Sequence, residues 1–90
     1  MSVKIHIHKT HRQYTDGLSL IETTGHTVGE CLLDLTRRFP DIQPEIFTAD
    51  GKPTRKIEIY LNMESAYPDE LAKPVKDGDD IHLTLLLAGG

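Results

Sequence analysis

The chain has 90 residues, 38% of them hydrophobic, which suffices for one small domain but not for a two-domain enzyme enclosing a cleft. No run approaches the roughly 18 to 20 consecutive apolar residues of a membrane helix, and residues 1–11 lack the apolar centre of a secretory signal, so we expect a soluble, cytoplasmic protein with residues 1–90 as a single domain. Ten basic against fourteen acidic residues, a net charge of −4, argue against general binding to nucleic acid or anionic lipid, and a single cysteine, Cys31, excludes an intramolecular disulfide and a multi-cysteine zinc site.

Taken in order, Val3 to His8 alternates apolar and polar residues, the period of a strand with one buried face, and places Val3, Ile5 and Ile7 toward a core. A polar stretch ending in Asp16-Gly17 signals a turn, after which Leu18 to Glu22 resumes as a second strand, the two forming a hairpin with a long loop. Thr27-Val28-Gly29-Glu30 fits a capping box that starts a helix over about residues 28–39. Val28, Leu32, Leu35 and Phe39 form its apolar stripe, and Pro40 ends it. Residues 40–56 carry Pro44, Gly51 and Pro53 around the Ile46-Phe47 pair and read as a surface connection tacked to the core. Ile57 to Leu61 is a third strand, the polar segment 62–80 has one anchor around Leu71 and Val75, and Asp77 to Asp80 marks a turn into a last strand, Ile81 to Leu87. Residues 87–90 should form a flexible, extended tail.

One helix on one face of a four- to five-stranded mixed sheet, an α+β class, is the economical packing for this order. If Val3, Ile5, Ile7, Leu18, Leu20, Ile57, Ile59, Leu61, Ile81, Leu83 and Leu85 face the helix, parity sends His6, His8, Ser19, Ile21, Glu58, Tyr60, His82, Thr84 and Leu86 to the other face. That face is half apolar, and nothing in the chain remains to cover it. We take Ile21, Tyr60, His82, Leu86, Leu87 and Ala88 as partner-binding residues.

Other candidates carry less. His6, His8 and His82 share the expected outward face, but no acidic or cysteine ligand stands at a convincing spacing, so no metal site is expected. His11 and His26 fall in loops and read as surface residues. Cys31 lies beside the apolar stripe, where cysteine behaves as a small hydrophobe rather than a nucleophile. The acidic run 77–80 lacks the ligand spacing of a calcium loop.

The order of elements, Gly25-His26-Thr27-Val28 opening the helix, Ile59-Tyr60-Leu61-Asn62 closing the third strand, Asp77-Gly78-Asp79-Asp80-Ile81 opening the last, and the ending Leu87-Ala88-Gly89-Gly90 together resemble the MoaD/ThiS family of ubiquitin-like β-grasp sulfur carriers. Within it, His11-Arg12-Gln13-Tyr14-Thr15-Asp16-Gly17 is similar to the Arg-x-x-Thr-Gly-Gly region of the branch serving cysteine or related amino-acid biosynthesis, with Leu18 in place of the second glycine. Many relatives also carry proline where this chain has Leu85-Leu86-Leu87.

The resemblance implies a non-enzymatic carrier with no bound cofactor. An activating enzyme that uses ATP adenylates the Gly90 carboxylate, a sulfur donor converts it to a thiocarboxylate, and an acceptor synthase or sulfhydrylase receives the sulfur. Molybdopterin or thiamine synthesis is an alternative destination. The lack of side chains at Gly89 and Gly90 suits delivery through a narrow channel, and four extended residues reach roughly 13 Å. Two rival readings stand beside it: a ubiquitin-like modifier joined to a target lysine through Gly90, and a binding subunit that never uses its terminus.

Overall fold

The computed structural model describes residues 2–85; Leu86, Leu87, Ala88, Gly89 and Gly90, on which the expected tail falls, lie outside the described residues. Five strands form one sheet: β1 (Ser2–His6), β2 (Leu20–Thr24), β3 (Ile57–Leu61), β4 (Glu64–Ser65) and β5 (Asp80–Leu85). Their order is β2-β1-β5-β3-β4, with β1 and β5 parallel and the other pairs antiparallel. One long helix, α1 (Val28–Arg38), covers a single face, as expected for the α+β class.

The capping box works with one shift. Thr27 Oγ1 accepts from the Glu30 N–H at 3.1 Å, while the Glu30 carboxylate accepts from the His26 N–H at 2.7 Å, one residue before the cap amide expected. Gly25 and Gly29 are packing requirements here. A Cβ on Gly25 would lie 2.8 Å from Glu30 Cβ, and one on Gly29 would lie 2.9 Å from the Leu71 carbonyl oxygen, so Gly29 lets the helix meet the short 3₁₀ turn Glu70–Ala72. Val28, Leu32 and Leu35 are fully buried and Phe39 packs against the core, as the stripe predicts.

Residues 40–56 give more to the core than expected. Pro40 opens a 3₁₀ turn, Pro40–Ile42, that runs into a one-turn helix, α2 (Gln43–Ile46), and Ile42 joins Ile46 and Phe47 among the buried residues. The polar 62–80 segment also contains the unexpected β4, reached through Asn62 and Met63, both in left-handed backbone geometry at φ 52° and 71°. Asn62 earns that turn by a double tie to the next motif: its Nδ2 donates to Asp79 Oδ1 at 3.1 Å and its Oδ1 accepts from the Asp80 N–H at 3.0 Å.

The parity of β2 is the reverse of the expected one. Residues 18–24 contain two competing alternations, Leu18/Leu20/Glu22 and Ser19/Ile21/Thr23, and only the second avoids burying a carboxylate. Ile21 pairs with Ile5 and is 4% exposed, so it is a core residue and not part of an outward partner surface. Thr23 turns inward beside it and its hydroxyl donates to the Val3 carbonyl at 2.9 Å. Leu20, opposite His6, takes the outward position at 43% exposure, and Leu18, before the strand, is 48% exposed.

This parity predicts that Ile21→Ala destabilises the domain by about 2–4 kcal/mol through the cavity it leaves, whereas Leu20→Ala changes stability by about 0.5 kcal/mol or less. Urea denaturation of the two variants measures both values.

Candidate functional site

The uncovered sheet face is built from one side chain per strand in register. Leu20 stands opposite His6, His6 opposite His82, and His82 opposite Tyr60, giving a row across β2, β1, β5 and β3. The next row toward the start of β5 is charged, with Glu22 opposite Lys4 and Lys4 opposite Asp80. On the other side, Glu58 stands opposite Thr84.

Parallel pairing of β1 with β5 brings the two imidazoles face to face, with ring centroids 4.0 Å apart and planes within 3°. The His6 Nε2 and Asp80 Oδ1 are 2.8 Å apart, and this hydrogen bond, with the attraction of the ring, lowers the Asp80 carboxyl below its ordinary range. Burial, followed by the neighbouring His6, lowers His82 below the ordinary histidine value and favours its neutral ring. Its Nδ1 is buried and has no hydrogen-bond partner among the described residues. At the end of the row, the Tyr60 hydroxyl donates to Glu58 Oε2 at 3.2 Å, which raises the Tyr60 pKa.

These groups make a flat surface rather than a reaction pocket. His6, Arg12, Leu20, His82 and Thr84 line a shallow groove of about 460 Å³ that runs along β5 from His82 to Thr84. The last described residue, Leu85, pairs with Ile57 at the start of β3, so the described end of β5 lies beside Arg55 and Lys56. A stacked pair of rings flanked by an exposed leucine and a tyrosine offers apolar contact with polar tips, the composition of a protein-docking surface.

Of the expected site residues, Tyr60 and His82 lie together on this face, while Ile21 is in the core. Leu86, Leu87, Ala88, Gly89 and Gly90 fall outside the described residues. Leu20 takes the position expected of Ile21, beside His6, which lies on the face expected for it, and the signal for Leu20 is Glu22, whose charge forbids the opposite parity. His8 leaves the row: it lies beyond β1, and its Nδ1 accepts from the Thr10 N–H at 3.2 Å to cap the 3₁₀ helix Lys9–Tyr14. Among the described residues, no three His, Cys, Asp or Glu side chains gather to hold a metal ion.

His11, expected at the surface, is 3% exposed. Its Nε2 lies 3.6 Å from Glu45 Oε1, its ring tilts against Tyr14, and its Nδ1 has no partner among the described residues. Burial outweighs Glu45 and lowers its pKa. The motif around it has a structural purpose: Thr15 is fully buried and donates to the Leu18 carbonyl at 2.9 Å, and Gly17, at φ 81°, donates its N–H to the Arg12 carbonyl at 2.8 Å. Cys31 is fully buried, and desolvation pushes its thiol pKa up, the opposite of an activated nucleophile.

No family model matches the chain. It is similar, over 98% of its length and 99% of the other chain, to a chain in the crystal structure of the Amycolatopsis orientalis BexX/CysO complex, with 31% identity and a TM-score of 0.87. Over 94% of its length it is similar to 99% of Mycobacterium tuberculosis CysO, described as an antigen, with 26% identity and a TM-score of 0.85. Haloferax volcanii SAMP1, at 22% identity with both chains fully covered and a TM-score of 0.85, shares the fold. Among curated proteins, 66 residues are 35% identical to part of the mitochondrial medium-chain acyl-CoA ligase ACSF2 of Danio rerio, and the match takes in 73% of this chain but 11% of that relative's length. No helix among the described residues is long and apolar enough to cross a membrane.

Both lowered histidines set a pH dependence. As pH falls below the unfolded-state value of about 6.5, the unfolded chain takes up protons that native His11 and His82 resist, so stability falls until the native rings protonate. Thermal melts between pH 7.5 and 5 should show that decline, His11→Gln should flatten it, and the ring signals of both histidines should titrate below the ordinary value in proton–carbon NMR spectra.

Proposed function

We propose that this chain, which belongs to the MoaD/ThiS family of ubiquitin-like β-grasp sulfur carriers, presents Gly90 as the last residue of its active form and carries sulfur there as a thiocarboxylate. The observation that carries this reading is the likeness, over nearly the full length of both chains, to a chain of the BexX/CysO complex. The ending Leu87-Ala88-Gly89-Gly90 supplies the chemistry.

A carboxylate is a poor electrophile. In the proposed sequence a Gly90 oxygen attacks the α-phosphorus of ATP held by an activating partner, pyrophosphate leaves, and the acyl-adenylate is then open to a sulfur nucleophile. The sulfur forms a bond to the carbonyl carbon, AMP departs, and the resulting thiocarboxylate passes its sulfur to an acceptor synthase or sulfhydrylase. The chain itself supplies position rather than catalysis: β5 is held on both sides as far as Leu85, and Leu20, His6, His82 and Tyr60 dock the partner. Cys31, on the buried side of α1 across the sheet from this face, takes no part. We extend the proposal to synthesis of cysteine or a related amino acid, supported by the His11–Gly17 segment and by the two likenesses to CysO-containing structures, with molybdopterin and thiamine synthesis as the competing destinations.

Incubation with the activating enzyme, ATP and sulfide should raise the intact mass by the replacement of one oxygen with sulfur. Cys31→Ala should retain this gain and deletion of Gly89 and Gly90 should abolish it. No mass change in the presence of a competent activating enzyme refutes the carrier chemistry, and a new species containing a target lysine would show a modifier instead. Tyr60→Glu should weaken binding to the activating enzyme by about tenfold, or about 1.4 kcal/mol, in a calorimetric titration; unchanged affinity removes this face from docking.

A further inference from the structure

The outer edge of β3 is open over half its length. In an antiparallel ladder, alternate residues direct their backbone groups to alternate sides. Glu58 and Tyr60 face β5, in phase with Asn62, whose N–H donates to the Asp80 carbonyl at 2.8 Å. Ile57, Ile59 and Leu61 therefore aim theirs at the other edge. There β4 pairs only with Tyr60 and Leu61, and the Ala66 N–H donates to the Ile59 carbonyl at 2.9 Å. Beyond that point, the Ile57 N–H and C=O and the Ile59 N–H have no hydrogen-bond partner among the described residues.

A groove of about 540 Å³ runs along this edge between the 52–55 and 65–70 segments. Pro53, Ile57, Ile59 and Tyr67 give it apolar lining, and Arg55 and Glu70 contribute opposite charges. Lys52 and Lys56, beside Arg55, have carboxylates within 4.0 and 3.4 Å, but neither Arg55 nor Glu70 forms an ion pair among the described residues. Two donors and an acceptor at strand spacing, an apolar trough and a free charge of each sign specify an extended peptide rather than a small molecule.

We propose that the slot along Ile57 and Ile59 docks an extended segment of a partner protein, which adds as a strand to β3, seats an apolar side chain against Pro53 and Tyr67, and places an acidic residue near Arg55 and a basic one near Glu70. The site uses the edge of the sheet and not its uncovered face, so it stands independently of the sulfur-carrier reading and leaves the Leu20-His6-His82-Tyr60 row free.

Backbone-amide NMR on the full chain tests this with an acetylated peptide of sequence Glu-Val-Thr-Val-Lys. In the free protein the Ile57 and Ile59 amides should exchange rapidly with solvent although their side chains are buried, while Glu58 and Tyr60 are protected. Millimolar peptide should shift Ile57, Ile59 and Tyr67 and slow exchange at the first two by about tenfold. Proline in place of the central threonine, or Arg55→Glu in the protein, should abolish or weaken the effect. Slow exchange in the free protein, no shift at millimolar peptide, an equal response to the proline peptide, or shifts that track protein concentration and so report self-pairing would each overturn the proposal.

Discussion

The central position of β5 is the constraint on which the rest of the molecule depends. It pairs with β1 at three positions and with β3 at five, so its register is held from both sides. The turn that launches it is tied to both neighbours as well: the Gly78 N–H donates to the Ser2 carbonyl, the Lys4 N–H to the Asp79 carbonyl, and Asn62 grips the Asp79 carboxylate. The amide of Lys76, with Asn62, holds that carboxylate below its ordinary pKa. A slip of one residue would exchange Ile81 and Leu83 for His82 and Thr84 and would break every one of these ties. The histidine stack, the Tyr60–Glu58 contact and the pairing of Leu85 with Ile57 are consequences of one fixed register.

Where a residue's period and its chemistry agreed, the sequence was readable. α1 is such a case, because the cap, the stripe at Val28, Leu32 and Leu35, and the stop at Pro40 all point to the same element. β1, β3 and β5 are others. β2 reads two ways: apolarity alone turns Leu18 and Leu20 inward, but Glu22 shares their face, whereas threonine can go inside once a carbonyl such as that of Val3 accepts its proton. β4 and α2 could not be read because they are too short to show a period, and they arise from long-range ties, such as that of Asn62 to the Asp79–Asp80 turn.

The candidate face shows the same division. Tyr60 and His82 followed from parity alone. The stack of His6 on His82 did not, because strand order and the parallel sense of β1 and β5 are set by the fold, not by either strand's composition. His11 was missed for a related reason: a loop histidine reads as polar, yet its ring is covered by Tyr14 and α2, and only the folded loop shows this. The motif that contains it proves to be a structural unit, with Thr15 and Gly17 closing the turn into β2.

Net charge conceals the last feature that bears on docking. The total of −4 suggests a uniformly acidic protein, yet charge is sorted along β5. Asp77, Asp79, Asp80 and Glu64 gather where the strand begins, with Lys4 and Lys76 among them, and Arg12, Arg55 and Lys56 stand at the Leu85 end, with Glu58 and Glu45 beside them. The body extends 34 Å along its longest axis, several times the screening length of about 8 Å at physiological ionic strength, so a partner approaching one end feels little of the other. A surface that approaches the Leu85 end of β5 therefore meets a small excess of basic charge despite the acidic total. In the proposed reading this excess steers partners to that end of the sheet, while the stacked rings of His6 and His82 beside it supply contact area.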